Sequence, residues 1–240
     1  NITVNSVNDE PILNDINKAS IEDNALTFST VDFTSAFSDI DGNSLTKIKI
    51  TSLPANGTLK LSGVNVNSND EILAADLANL SFIPDNDWNG STSFGWNGFD
   101  GTDYAVVNAS VNITVNSVND TPILNDINNA SNEDNALSFS TVDFTSAFSD
   151  VDANALTKIK ITSLPANGTL KISGVNVDIN DEIPRDSLNN LTFIPNSDWN
   201  GSTSFNWNGF DGTLYAATAA SVNITVDAVN DKPIVIDIAK

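Results

Sequence analysis

Carboxylates recur in this sequence at fixed places and in company with amides. Asn8-Asp9 returns as Asn119-Asp120 and Asn230-Asp231, Glu22-Asp23 as Glu133-Asp134, and Asp39-x-Asp41 as Asp150-x-Asp152. Asp100-Gly101 returns as Asp211-Gly212, and Asp85-x-Asp87 keeps only Asp198 in its second appearance. Carboxylate, amide and backbone oxygens together are the donor set of a hard cation, and calcium accepts about 6 to 8 of them in irregular geometry. Each motif alone is equally well explained without an ion. Asp-Gly favours a tight turn, Asp-x-Asp sits in many loops, and Glu-Asp is an ordinary solvated pair.

Other chemistry is poorly served. With no His there is no neutral-pH acid/base group, and with no Cys there is neither a thiol nucleophile nor a zinc set. Paired carboxylates can hydrolyse glycosides, but the same acids at the same joints of near-duplicate segments read as scaffolding, so the chain is expected not to be an enzyme. Ten Lys and Arg against 31 Asp and Glu give a formal charge of -21, which repels nucleic acid and anionic membranes and favours cations or basic partners. No apolar run approaches the roughly 20 residues that span a bilayer, so no membrane insertion is expected. Asn1 to Pro11 does not read as a signal peptide, which suggests that the sequence starts in mid-protein.

The elements that must position these acids come in duplicate. Asn1-Ile2-Thr3-Val4 maps onto Asn112-Ile113-Thr114-Val115 and again onto Asn223-Ile224-Thr225-Val226, and 88 of 111 aligned positions are identical without a gap. The differences gather around residues 67 to 86. The segment Val7 to Pro11, repeated at Val118 and Val229, is the linker. This divides the chain into 1–8, the end of an upstream repeat; 9–119 and 120–230, two whole repeats; and 231–240, the start of a downstream one.

Within one repeat, Pro11 to Ile16, Leu26 to Phe28, Leu45 to Thr51, Thr58 to Leu61, Leu80 to Ile83, Thr92 to Trp96 and Ala109 to Val115 read as short strands. Pro54-Ala55-Asn56-Gly57, Asn89-Gly90 and Asp100-Gly101 supply turns. Short helical turns are expected near Asp32 to Phe37 and Ala74 to Leu77. Seven strands in roughly 100 residues without crossover helices predict an all-β fold, two tandem immunoglobulin-like Greek-key β-sandwiches. Phe94 and Trp96 alternate with Gly95 and Asn97, the pattern of a core strand, so Trp88, Trp96, Trp199 and Trp207 are expected to be buried. Phe99, Tyr104 and Phe210 are the aromatics left for a sugar to stack on.

In a Greek-key sandwich entered at the top and left at the bottom, the loops of Asp150, Asp152 and Asp211 top the second repeat. Those of Glu22, Asp85 and Asp87 close the bottom of the first, with Asn119 and Asp120 between. Carboxylates crowded within a few ångströms repel by about 1 kcal/mol or more per pair, which bound calcium (Ca2+) relieves. An EF-hand is not the answer, because the loop from Asp39 has Ser44 and Ile50 where Gly and Glu are required.

In the order and spacing of Val7 to Pro11, Glu22-Asp23, Asp39 to Gly42, Pro54 to Gly57, Phe82 to Pro84, Asn89-Gly90 and Phe99 to Gly101, the chain resembles the bacterial cadherin-like tandem repeats of large surface adhesins and exoproteins. The resemblance covers essentially the whole chain. It is similar to animal cadherins in ligand order, which implies a calcium cluster at the junction held by Glu22, Asp85, Asp87, Asn119, Asp120, Asp150, Asp152 and Asp211. An upstream half-junction would use Asn8, Asp9, Asp39, Asp41 and Asp100, and a downstream one Glu133, Asp198, Asn230 and Asp231. Asn196 in place of Asp85, and Ala153 in place of Gly42, depart from the pattern. Asp103, whose counterpart is Leu214, falls outside the set.

The function expected is that of calcium-rigidified extender modules of a secreted or surface-anchored adhesin, extracellular at the bacterial cell surface. The partners implied are the adjacent repeats of the same chain and, beyond them, a glycan or cell-surface protein; the fragment itself is expected to be monomeric. The alternative is a calcium-dependent carbohydrate-binding module, which would need an exposed aromatic platform.

Overall fold

A computed structural model describes residues 2–3 and 7–232. The opening NITV and the stretch from Pro233 to Ile236, read above as remnants of neighbouring repeats, fall largely or wholly outside the described residues. The chain divides into two compact units, Asn1–Val118 and Asn119–Lys240.

The first unit holds β1 (Ile12–Leu13), β2 (Ile16–Ile21), β3 (Leu26–Thr27), β4 (Phe37–Ser38), β5 (Lys47–Ser52), β6 (Thr58–Leu61), β7 (Val64–Asn65), β8 (Glu71–Leu73), β9 (Leu80–Ile83), β10 (Gly90–Phe99) and β11 (Ala109–Asn116). One helix, α1 (Thr30–Thr34), and one 3-10 turn, Ala74–Asn79, interrupt them. Five strands in the order β2-β11-β10-β5-β8 face four in the order β3-β9-β6-β7, with β1 paired to β4. This is the all-β Greek-key sandwich the sequence predicts.

The second unit repeats the plan with β12 (Ile123–Leu124), β13 (Ile127–Asn132), β14 (Leu137–Ser138), α2 (Thr141–Ser146), β15 (Phe148–Ser149), β16 (Lys158–Ser163), β17 (Gly168–Ile172), β18 (Val175–Asn176), β19 (Glu182–Pro184), β20 (Leu191–Pro195), β21 (Gly201–Phe210) and β22 (Ala220–Asp227). Its sheets run β13-β22-β21-β16-β19 and β14-β20-β17-β18.

Period-two alternation builds each core. Ile48 and Ile50 of β5, Phe94 and Trp96 of β10, and Val111, Ile113 and Val115 of β11 turn inward against Leu59, Leu80 and Phe82 of the facing sheet. The indole of Trp96 meets Phe33 of α1 edge-on at 5.3 Å, and Trp207 meets Phe144 of α2 in the same way. Helix α1 is placed by a capping box: Ser29 N–H donates to Asp32 Oδ2 at 2.8 Å, and Asp32 N–H donates to Ser29 Oγ at 3.3 Å.

The structure revises several sequence boundaries. Pro11 to Ile16 is not one strand but the two-residue β1 followed by the start of β2, whose sequence INKASI has too little apolar alternation to announce an edge strand. Strand β10 runs past Thr92–Trp96 at both ends, and the helical turn falls at Thr30–Thr34 because Ser29 caps it there. Among the tryptophans, Trp96 and Trp207 are fully buried, whereas Trp88 and Trp199 are half-buried at the core's edge. Each of these two lies over a following glycine, Gly90 or Gly201, that leaves room for the ring.

Candidate functional site

The acidic loops of each unit collect at the two ends of its longest strand. In the first unit β10 starts after Asn89, whose amide faces Glu22 at 3.4 Å, and ends before Asp100. Ten residues of strand separate these ends by roughly 30 Å.

At the Asp100 end, the tight turn after β4 is tied by its own first residue: Asp39 Oδ1 accepts the N–H groups of Asp41 (2.9 Å) and Asn43 (3.1 Å). The incoming segment is stitched into it. Asn8 donates its amide to Asp100 Oδ2 (2.9 Å) and Asp103 Oδ2 (3.2 Å), Asn43 donates to Asn8 Oδ1 (2.9 Å), and Asp9 N–H donates to Asp41 Oδ2 (2.7 Å). The second unit reproduces the set. Asn119 donates to Asp211 Oδ2 (3.0 Å), Asn154 to Asn119 Oδ1 (2.7 Å), Asp120 N–H to Asp152 Oδ2 (2.8 Å) and Asp152 N–H to Asp150 Oδ1 (3.0 Å).

Two oxygens test whether a cation fits. Asp39 Oδ2 and Asp150 Oδ2 are buried without a hydrogen-bond partner. An ionised oxygen withdrawn from water without a partner costs free energy that a bound cation would recover. The oxygen-rich surroundings match calcium's preference.

Asp100 and Asp211 are positioned differently. Burial pushes their carboxyls up, but donation from the Asn8 or Asn119 amide and from backbone N–H groups outweighs it and leaves both below the usual carboxylate value. A lowered folded pKa stabilises the fold above the unfolded value of about 4 and is lost as pH falls through the folded one. Asp211→Asn is therefore expected to flatten the fall in melting temperature of the second module below about pH 4, read by calorimetry across an acid series.

Ala153 occupies the left-handed position where Gly42 stands in the first unit, with φ of 62° against 81°. The turn survives, because Ala153 N–H still donates to Asp150 O at 3.2 Å, as Gly42 N–H does to Asp39 O at 3.3 Å. The side chain is strained there, so Ala153→Gly is expected to stabilise the second module by about 0.5–1 kcal/mol after glycine's greater unfolded freedom is subtracted. Denaturant unfolding of the variant reads this directly.

At the opposite end, Glu22 is almost wholly buried, 2% exposed, and its Oε1 accepts the N–H of Val118. Glu133, at 4%, accepts the N–H of Val229 at 2.5 Å. Beside them two aspartates adopt left-handed backbone, Asp23 and Asp87 in the first unit and Asp134 and Asp198 in the second. Asp87 N–H donates to Asp23 Oδ1 at 3.0 Å, and Asp198 N–H to Asp134 Oδ1 at 3.1 Å. In the second unit Asp134, Asp198 and Asp231 bring one carboxylate oxygen each within 4.8 Å of one another. Three like charges at that spacing repel, and a divalent cation would reverse the sign of the interaction.

The structure thus brings Asn8, Asp9, Asp39, Asp41 and Asp100 together in one unit, and Asn119, Asp120, Asp150, Asp152 and Asp211 in the other. Asp198 and Asp231 also meet, together with Asp134, whereas Glu133 holds the N–H of Val229. Asp85 is not brought in: it belongs to none of the close carboxylate groups among the described residues, and its backbone carbonyl accepts Trp88 N–H at 3.2 Å to shape the turn. Asn230 turns its amide to the carbonyl of Asp231 at 3.1 Å. Asp23 and Asp134, singled out in the sequence within the Glu-Asp pairs but not assigned as ligands, lie in these acidic ends, as do Asn43 and Asn154, which the sequence reading did not single out, and Asp103 joins the Asn8 cluster.

No family model matches the sequence, and no curated protein matches it. Solved structures do. An endo-fucoidan hydrolase of glycoside hydrolase family 107 is similar at 24% identity over 92% of this chain, with a TM-score of 0.33; the chain spans only 29% of that enzyme's length. Human protocadherin-24 EC1-2 is similar at 11% identity over 94% of this chain and 100% of that one, with a TM-score of 0.45. The D00-D0 domain of intimin is similar at 14% identity over 90% and 99%, with a TM-score of 0.33.

The aromatics outside the core are already engaged. Phe99 and Tyr104 pack against each other with ring centroids 4.8 Å apart and planes tilted by 47°, and both are half-buried. Lys47 Nζ lies 4.6 Å over the Phe99 ring and Lys49 Nζ 4.7 Å over the Tyr104 ring, while Tyr104 Oη donates to Glu71 at 2.5 Å. Phe210, Tyr215, Lys158, Lys160 and Glu182 repeat the arrangement.

Proposed function

We propose that the chain is a pair of spacer modules from a long extracellular surface protein of bacterial type, in which calcium stiffens each joint and catalysis plays no part. One observation carries the reading: the linker is gripped by carboxylates at both of its ends. Val118 N–H is held by Glu22 of the first module, and the next two residues, Asn119 and Asp120, are held by Asp211 and Asp152 of the second. A peptide bond joins these two grips, so the acids that make them are tethered to one short segment.

The ligands proposed for the ions are Glu22, Asp23 and Asp87 from the first module, Asn119 and Asp120 from the linker, and Asp150, Asp152 and Asp211 from the second. Calcium bound there would supply positive charge to a chain of net charge -21 and fix the torsions of the linker. Neighbouring repeats are the partners, the module pair is monomeric, and whatever the parent protein adheres to is recognised elsewhere. The carbohydrate-binding alternative is less well supported, because Trp96 and Trp207 are buried and the Phe99–Tyr104 pair is covered by lysines.

Small-angle X-ray scattering in calcium and in chelator tests the proposal. A longer maximum dimension and a narrower distance distribution with calcium are expected. Superimposable profiles would remove the stiffening role.

A further inference from the structure

We infer that the free edge of β13 in the second module is a docking edge for an extended, lysine-bearing segment of a partner protein, which adds a strand there and sets its ammonium group on Asp143. The first module shows the cation such a groove accepts, because it supplies its own. β2 and β13 are the outer strands of matching five-stranded sheets, each paired on one side only, with β11 or β22. Their sequences, INKASI and INNASN, differ at two positions: Lys18 becomes Asn129 and Ile21 becomes Asn132.

In the first module Lys18 reaches from β2 to α1, where its Nζ lies 2.6 Å from Asp32 Oδ1. Burial pushes the Asp32 carboxyl up, but Lys18 and Ser29 outweigh it and hold the group below the usual carboxylate value. A lysine in the middle of an outer strand also guards that edge, since a foreign strand pairing there would have to cover its charge. One residue thus fills the groove and protects the edge.

The second module lacks both effects. Asp143 Oδ2 accepts the N–H of Ser140 at 2.7 Å and its Oγ–H at 2.9 Å, but the carboxylate has no ion pair among the described residues. From Ile127 to Asn132 the strand carries no charge. Beside it lies a groove of about 290 Å³ lined by Asn125, Asp126, Asn128, Asn129, Val142 and Asp143. Its amides can donate to and accept from the backbone of an added strand, and its carboxylates favour a basic segment over an acidic one. The inference goes beyond the spacer reading, which leaves the adhesion target to other parts of the protein, and it does not depend on calcium.

Nuclear magnetic resonance titration of the whole chain with a capped peptide, Thr-Val-Lys-Val-Thr, tests it. Shifts confined to β13 and α2 are expected in the parent. Asn129→Lys, which restores the residue of the first module, should abolish them, whereas Asn129→Ser should leave them. Lys18→Asn should open the equivalent edge and add a second set of shifts in β2 and α1. Replacing the peptide's lysine by norleucine should weaken binding by about tenfold or more, as expected for the loss of a charge-assisted hydrogen bond. Equal binding by the parent, Asn129→Lys and Lys18→Asn, as capture at the acidic ends would give, would overturn the inference. So would no binding by the parent, or a parent chain that dimerises through this edge and is monomeric as Asn129→Lys.

Discussion

Removing calcium is expected to lower the melting temperature of this chain by on the order of 10 °C. An ion that binds only the folded state stabilises it by about 2.7 kcal/mol when its concentration is a hundred times its dissociation constant. One kcal/mol moves the melting point of a domain of roughly 100 residues by about 4–8 °C. The chelated state also regains what the ions had cancelled, which is repulsion among Asp134, Asp198 and Asp231 and an unpartnered oxygen on Asp39 and on Asp150. Differential scanning calorimetry with excess calcium and with chelator reads the shift. High salt should shrink the chelated deficit by screening the exposed members of the set.

Gly57→Ala should cost the first module about 3 kcal/mol or more, with Gly168→Ala matching it in the second. Gly57 has φ of 133° and Gly168 of 152°, a region that L-residues rarely enter. Space is absent as well. A Cβ on Gly57 would stand 2.5 Å from both Ile83 O and Phe82 Cε2, and one on Gly168 would stand 2.6 Å from Ile194 O and closer still to the Phe193 ring. Phe82 and Phe193 are fully buried, so neither ring can withdraw without disturbing the core. Urea unfolding should show one early transition for a single variant, and a loss below about 1 kcal/mol would mean that the β6–β9 backbone can spread.

Residues whose role is set by alternation were legible from the sequence. Phe94 and Trp96 face inward because strand geometry sends every second side chain to one face, and Ala109 to Val115 follows the same rule. The linker is an expectation from Val-Asn-Asp-x-Pro, which occurs three times at one interval. Strand β2 was not, since an edge strand buries one face only and INKASI carries few apolar residues to mark it.

The acidic ends divide along a similar line. Asp39, Asp41 and Asp100 sit in turns whose chemistry is written in Asp-x-Asp-Gly and Asp-Gly. Asp23 enters its cluster only because its backbone is left-handed, with φ of 59°, which aims its carboxylate at the N–H of Asp87. Asp85, two residues before Asp87, contributes its carbonyl to the turn instead. Composition and spacing name the same residue type at both places; only the backbone torsions separate them. Asp103 likewise reaches Asn8 because Asp100 folds the intervening loop back by accepting the N–H groups of Thr102 and Asp103.

Calorimetric titration of calcium into the whole chain, into Asp120→Ala and into the exposed control Asp186→Ala tests the central claim most directly. Asp120 lies in the linker, and its N–H is bound by Asp152. The account predicts saturable binding by the parent chain and by the control, with the tightest sites lost in Asp120→Ala. Identical isotherms for all three proteins, or no binding heat and no calcium-dependent melting shift in the parent, would contradict it.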